Sequence, residues 1–416
     1  MTDFYDTRET RSDDERAADL ARELPALIRH AIERAPAMAA HLGEVDPGAI
    51  TTREALAVLP VLRKARLGEL QKADPPLGGF TAQGTTGLRH VFQSPGPIYE
   101  PGGAAKDWWR MGRFLHAVGI GPGDVVQNCF SYHLTPAGMM FENGAAAVGA
   151  TVLPAGTGQT ELQARAAADI GVTAYAGTPD YLKMILDKSD EMGLDLSRLR
   201  KAAVGGGALF PSLRQEYADR GIACFQGYGT ADLGSIAYES PAEDGSFEGM
   251  LVDEGVIVEI VRPGTGDPVA DGEVGEVVVT TLNRDYPLIR FATGDLSAIL
   301  PGRSPCGRTA PRIKGWMGRA DQTTKIKGMF VRPEQVAELV SRHPEVRRAR
   351  VIATREGERD EMTVRVETEA RSDDFMAALE RSVQSALKLR GKVELAPPGS
   401  LPNDGKVIED ARELPG

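Results

Sequence analysis

The chain has 416 residues, more than one compact core ordinarily supports, so two or more domains are expected. A formal net charge of −11 excludes a general nucleic-acid binder, which needs a basic face to displace counterions. No apolar run approaches the roughly 18 residues of a membrane span, so no membrane association is expected.

Met1 to Leu20 are highly charged and lack an apolar stretch, unlike a secretory signal. The three cysteines, Cys129, Cys224 and Cys306, match no metal spacing or disulfide framework, so a reduced cytoplasm is the expected compartment. Residues 12–42 read as helical, with Ala17, Leu20, Leu24, Leu27 and Ile28 near a 3.6 period. Asp74 to Gly79 break that pattern, and residues 106–118 read as a second amphipathic helix. From DVVQNCF to IACFQGYG, short apolar runs alternate with helical ones. This rhythm predicts an α/β fold with a mostly parallel, doubly wound sheet, whose ligands bind beyond the carboxyl ends of the strands. Between 250 and 300, β-branched runs separated by turn residues predict an antiparallel subdomain. The remainder alternates helix and strand as a small α+β domain. The expected division is therefore 1–320 and 321–416.

Six motifs carry candidate chemistry. Gly84, Thr85, Thr86 and Gly87 can converge backbone N–H groups and hydroxyls on phosphate oxygens, although a hairpin turn has the same composition. Gly205, Gly206 and Gly207, followed by Ala208, leave room for a flat ring against the backbone or make a plain strand-to-helix turn. Gly227, Tyr228, Gly229 and Thr230 lead to Asp232; the tyrosine can stack on a base and the carboxylate can ligate magnesium or cap a helix. Asp295, in the run Arg290 to Asp295, can accept from a ribose diol or belong to a surface turn. Arg319 offers a planar fork within Gly318 to Asp321, and Lys327 and Gly328 follow; the alternative is a solvated linker. Lys406, on a Gly turn, can face developing negative charge or lie in a mobile tail.

In this order and spacing, the segments resemble the adenylate-forming superfamily of acyl-CoA synthetases, in its phenylacetate–CoA ligase-like branch. The resemblance runs from about Leu59 to Lys406 and includes PVLRKARLGELQ, YPLIRFATGDL, GRADQ and the terminal Gly-Lys. It implies ATP-dependent activation of a carboxylic acid to an acyl-adenylate, followed by transfer to coenzyme A. The implied cofactors are ATP, magnesium and coenzyme A. By that resemblance Gly84 to Gly87 cradle the phosphates, and Gly205 to Gly207 and Tyr228 hold adenine. Asp295 and Arg319 bind ribose, and Asp232 stands at the position of a magnesium-binding glutamate. Lys406 contacts the carboxylate and the α-phosphate, Asp321 is a hinge, and Lys327 and Gly328 lie near a pantetheine channel. Phe130, Tyr132, His133 and Ala208 fall in the acid pocket and favour an aryl or arylacetic acid. The resemblance also suggests a homodimer.

Three departures stand out. Leu88-Arg89 follow the glycine loop where the family has lysine, Ala231-Asp232 replace Ser/Thr-Glu, and Asn403 replaces an arginine. They leave open another acceptor (a carrier-protein thiol, an amine, or AMP transfer to a deazaflavin) or a weakened nucleotide-binding homologue.

Overall fold

A computed structural model describes residues 4–320, 322, 324–327, 329–356 and 359–412. The chain divides into two compact units. The first comprises residues 1–258, 279–291 and 300–315, and the second 259–278, 292–299 and 316–416.

The first unit is built on a nine-stranded sheet. Five of its strands are parallel, in the spatial order Thr151–Pro154, Val125–Asn128, Ala174–Gly177, Lys201–Val204, Ala223–Thr230. Helices Ala137–Val148, Thr160–Ile170, Pro179–Glu191 and Pro211–Asp219 connect them in sequence, as the β-α alternation predicted. Strand order reverses beside Val125–Asn128, and such a switch point opens a crevice past the carboxyl ends of the strands. The sheet then turns antiparallel through Gly234–Tyr238, Met250–Val252 and Arg312–Ile313. Its helix-facing core gathers Tyr175, Leu182, Ile185, Ala202, Val204 and Tyr217, all buried.

Two helices expected from apolar spacing are shorter than the pattern. Residues 12–42 form two helices, Asp13–Arg34 and Pro36–Leu42. Pro36 cannot donate a backbone hydrogen bond and starts a new helix. Ser12 caps the first in a reciprocal box with Glu15. Residues 106–118 are helical only from Met111 to Ala117. Asp107 and Arg110 adopt left-handed backbone conformations, and the Asp107 carboxylate accepts from Gly112 N at 3.0 Å, which stops the helix extending backwards.

In the second unit, strands Lys392–Ala396, Arg359–Thr368, Val346–Glu356 and Ile408–Asp410 form a mixed sheet in that order. Helices Pro333–Ser341 and Asp373–Leu387 cover it, burying Val336, Leu339, Val351, Val364, Leu379 and Val383 in one core. Full burial of one such side chain contributes roughly 1.5–3 kcal/mol. The expected α+β architecture of this segment is present.

Candidate active site

Two glycine-rich segments of the first unit, at 205–206 and 227–229, meet at the carboxyl ends of its parallel strands. A cavity of about 260 Å³ is lined by Phe130, Gly205, Gly206 and Gly227 to Ala231, together with side chains from two helices. Glycine is required at several of these points. A Cβ on Gly205 would lie 3.2 Å from the Gly227 carbonyl, one on Gly229 would lie 2.5 Å from the Gly234 carbonyl, and Gly206 has φ +69°. Gln226 Nε2 donates to the Gly207 carbonyl at 3.0 Å, so two motifs read separately in the sequence are fastened together.

The cavity walls are aromatic. Phe130 stacks on Phe141 with ring centroids 4.3 Å apart, and Phe114 meets Phe141 edge-on at 6.5 Å. Met111 and Met140 complete the apolar surface. The lining residues with polar side chains are Ser94, Thr135, Tyr228, Thr230 and Ser235. Phe114, Met111, Met140 and Phe141 were not singled out in the sequence, because apolar residues at helical spacing look the same whether they face a core or a ligand.

Other expected residues take different places. Gly207, Ala208, Tyr132 and His133 do not line the cavity among its described walls. Tyr132 packs on Gly138, where a Cβ would come within 2.8 Å of its ring, and its hydroxyl accepts from Asn128 Nδ2 at 2.8 Å. His133 is exposed. Gly84 to Gly87 form an exposed loop, with Thr85–Gly87 as a single 3-10 turn, and are also outside this cavity's lining. The Gln83 side chain folds back over Gly87, its Oε1 lying 2.5 Å from the glycine's Cβ position, so a residue there would have to move that amide aside. The hairpin that follows, His90–Ser94 with Ile98–Gly102, brings Ser94 to the cavity wall.

Asp232 lies in the turn between strands Ala223–Thr230 and Gly234–Tyr238, not at the start of a helix. Its side chain is fully buried, and Oδ2 accepts from Lys64 Nζ at 2.6 Å. Oδ1 is buried with no hydrogen-bond partner among the described residues. Glu100, also buried, has its carboxyl pushed up to about 7, first by burial and then by the charge of Asp232. Magnesium at a nucleotide takes one or two protein carboxylates and completes its shell with phosphate oxygens and water. The unpartnered hard oxygen of Asp232 fits that requirement. Among the described residues no group of three or more metal-ligating side chains forms a cage. Lys64, the first residue of helix Lys64–Ala73, pairs with Asp232 across 168 positions of sequence, which no local pattern announces.

The second unit joins two more motifs. Asp295 and Arg319 face each other in an antiparallel bridge, and Arg319 donates to Asp295 Oδ1 at 2.8 Å. Gly294, at φ +76°, is open to this approach; a Cβ there would meet Arg319 Nη2 at 2.7 Å. Trp316 Nε1 donates to the same Asp295 oxygen at 3.0 Å while the residue stays 53% exposed. Sequence reasoning passed over this tryptophan. Lys406 is exposed on a turn whose Gly405 has φ +70°, with the Cβ position only 2.7 Å from Val274 Cγ1. Asn403, the departure noted in the terminal motif, binds the 272–274 turn: its Oδ1 accepts from Val274 N and its Nδ2 donates to the Gly272 carbonyl, each at 3.1 Å. Lys327 is exposed, with Nζ 3.3 Å from Glu361 Oε2. Asp321 and Gly328, expected at the hinge and the thiol channel, lie outside the described residues. No helix among the described residues is long and apolar enough to cross a membrane.

Residues 106–283 match the family model of the AMP-binding enzymes, and residues 328–411 match that of the AMP-binding enzyme C-terminal domain. The chain belongs to the AMP-binding, adenylate-forming enzymes. Within them it falls in the phenylacetate–CoA ligase-like branch. It is 28% identical to a phenylacetate-coenzyme A ligase of Thermus thermophilus, over 91% of this chain and 92% of that one. It is 29% identical to the Escherichia coli ligase of the same name, over 74% and 73%. Among solved structures it is similar to 2-hydroxyisobutyryl-CoA ligase in complex with 2-HIB-AMP and CoA in the thioesterification state. That likeness has a TM-score of 0.69 and 26% identity, and covers 98% of this chain and 92% of that one.

Proposed function

We propose that this chain is an AMP-forming acid–thiol ligase that converts an aryl or arylacetic acid to its acyl-adenylate and then to its coenzyme A thioester. The observation that carries the substrate class is the cavity walled by Phe114, Phe130 and Phe141 at the carboxyl ends of the parallel strands. A flat apolar acid satisfies such walls, and no charged side chain among the described lining residues would be left unpaired by it.

A carboxylate is a poor electrophile because oxide would have to leave. Its oxygen attacks the α-phosphorus of ATP, the bond to the β-phosphate oxygen breaks, and pyrophosphate departs. In the second half-reaction the thiol sulfur attacks the acyl carbon, its proton passes to solvent, and AMP leaves. The chain's own residues supply position and charge. The aromatic walls hold the acyl group, and the glycine segments let adenine approach the backbone. Asp295 accepts from the ribose diol with Arg319 beside it, and Gly84 to Gly87 offer donors to the phosphates. Lys406 brings a cation to the carboxylate and α-phosphate. Magnesium, held by Asp232 through Oδ1, would neutralise phosphate charge. We place the lid domain at 321–416, turning at Asp321 between the half-reactions, so that one module serves both. Lys327 and Gly328 would then border the path of the thiol.

The test is acid-dependent pyrophosphate exchange over aryl, arylacetic and short aliphatic acids, with mass spectrometry of the products formed with coenzyme A. The expected result is exchange strongest with aromatic acids, together with their thioesters. Exchange without a thioester would contradict coenzyme A as acceptor. A preference for short hydroxy acids would contradict the aromatic assignment.

A further inference from the structure

We propose that Gln322 is a positioning residue for Lys406, fixing the turn that carries the lysine through a single side chain next to the expected hinge. The inference rests on the reading of Lys406 as the lysine of the adenylation step.

Gln322 uses both ends of its amide on this turn. Its Oε1 accepts from Val407 N at 2.7 Å and from Ile408 N at 2.9 Å, and its Nε2 donates to the Gly405 carbonyl at 3.1 Å. The residues before and after Lys406 are therefore bound to one planar group, and the lysine between them is left exposed. A primary amide suits this duty because it is at once acceptor and donor; a carboxylate could take the two N–H groups but could not donate to the carbonyl. The opposite side of the turn is fixed separately. Asp404 Oδ1 accepts from Lys406 N at 3.0 Å and also pairs with the buried Arg350.

Without Gln322, the backbone from Gly405 to Ile408 would lose three hydrogen bonds, and the Lys406 ammonium would sample more positions. Misplacement of a catalytic group by about 1 Å can cost on the order of a hundredfold in rate. Gln322 directly follows Asp321 in the chain, so a turn at that hinge would carry the lysine with it.

The test compares Gln322→Ala with the parent enzyme in the two half-reactions, with folding checked by circular dichroism and thermal melting. The expected result is a fall of about 10- to 100-fold in kcat for pyrophosphate exchange, with KM for ATP within about threefold. Thioester formation from preformed acyl-adenylate should stay within about twofold. Parent-like exchange would overturn the inference, and so would a parallel fall of both half-reactions, which is the mark of a merely structural residue. Should Gln322→Ala fail to fold, Gln322→Glu, which keeps two of the three hydrogen bonds, is expected to give intermediate exchange; parent-like exchange in that variant would also overturn it. Lys406→Ala separates the two readings. Exchange that survives in Lys406→Ala removes the assigned role of the lysine. Exchange lost there but intact in Gln322→Ala removes only the positioning role.

Discussion

At Asp295 one carboxylate oxygen accepts from both Arg319 and Trp316. A ribose diol needs that same carboxylate, so nucleotide binding should compete with the half-exposed indole. Trp108 and Trp109 are buried, which makes Trp316 the tryptophan best placed to respond. ATP is expected to change the intrinsic fluorescence of the parent enzyme and to lose most of that effect in Trp316→Phe; an equal amplitude in both would place the nucleotide elsewhere. At Gly227, an added Cβ would sit 2.7 Å from the Phe114 ring. Gly227→Ala should push that ring into the cavity and raise KM for the acid by about tenfold, the scale of moderate overpacking. Steady-state kinetics would show it, and an unchanged KM would remove Phe114 from the acid pocket.

The elements that frame the site differ in how plainly the sequence announces them. The five parallel strands and their helices follow a rhythm of apolar runs that survives folding unchanged, as do the helices and strands of the C-terminal segment. The helix at Met111–Ala117 was overestimated because spacing alone does not register that Asp107 and Arg110 turn left-handed. The glycine motifs were legible because backbone approach leaves few alternatives to glycine, and most of those after the strands converge on one cavity. Lys64 and Gln322 were not, since their partners are 168 and more than 80 positions away and an ordinary surface lysine or glutamine looks the same in one dimension. The strand Met250–Val252 leads to another long-range pairing: Asp253 is buried, with Arg110 Nε 3.2 Å away, and its carboxyl is pushed up to about 6 by burial, against the pull of Arg110 and Arg113. A carboxyl whose pKa is raised on folding contributes stability at low pH that is lost as pH rises through the folded value. Between pH 4 and 6 the unfolding free energy of Asp253→Asn should therefore gain roughly 2 kcal/mol on the parent, read as a rise in its relative melting temperature. A gap that stays constant with pH would show that Asp253 is not the group responsible.

For the molecule as a whole, the comparisons place the chain among adenylate-forming enzymes, and the proposal asks its dispersed motifs to serve one nucleotide and one acid. Phe130, the 205–206 glycines and the Gly227 to Ala231 segment already share a cavity in the first unit, while Asp295, Arg319 and Lys406 belong to the second. The most direct measurement is a crystal structure with a non-hydrolysable arylacetyl-adenylate analogue. The account predicts the aryl ring against Phe114 and Phe141, adenine beside Tyr228, and the ribose diol on Asp295. An analogue whose ring and ribose lie away from these residues would contradict it.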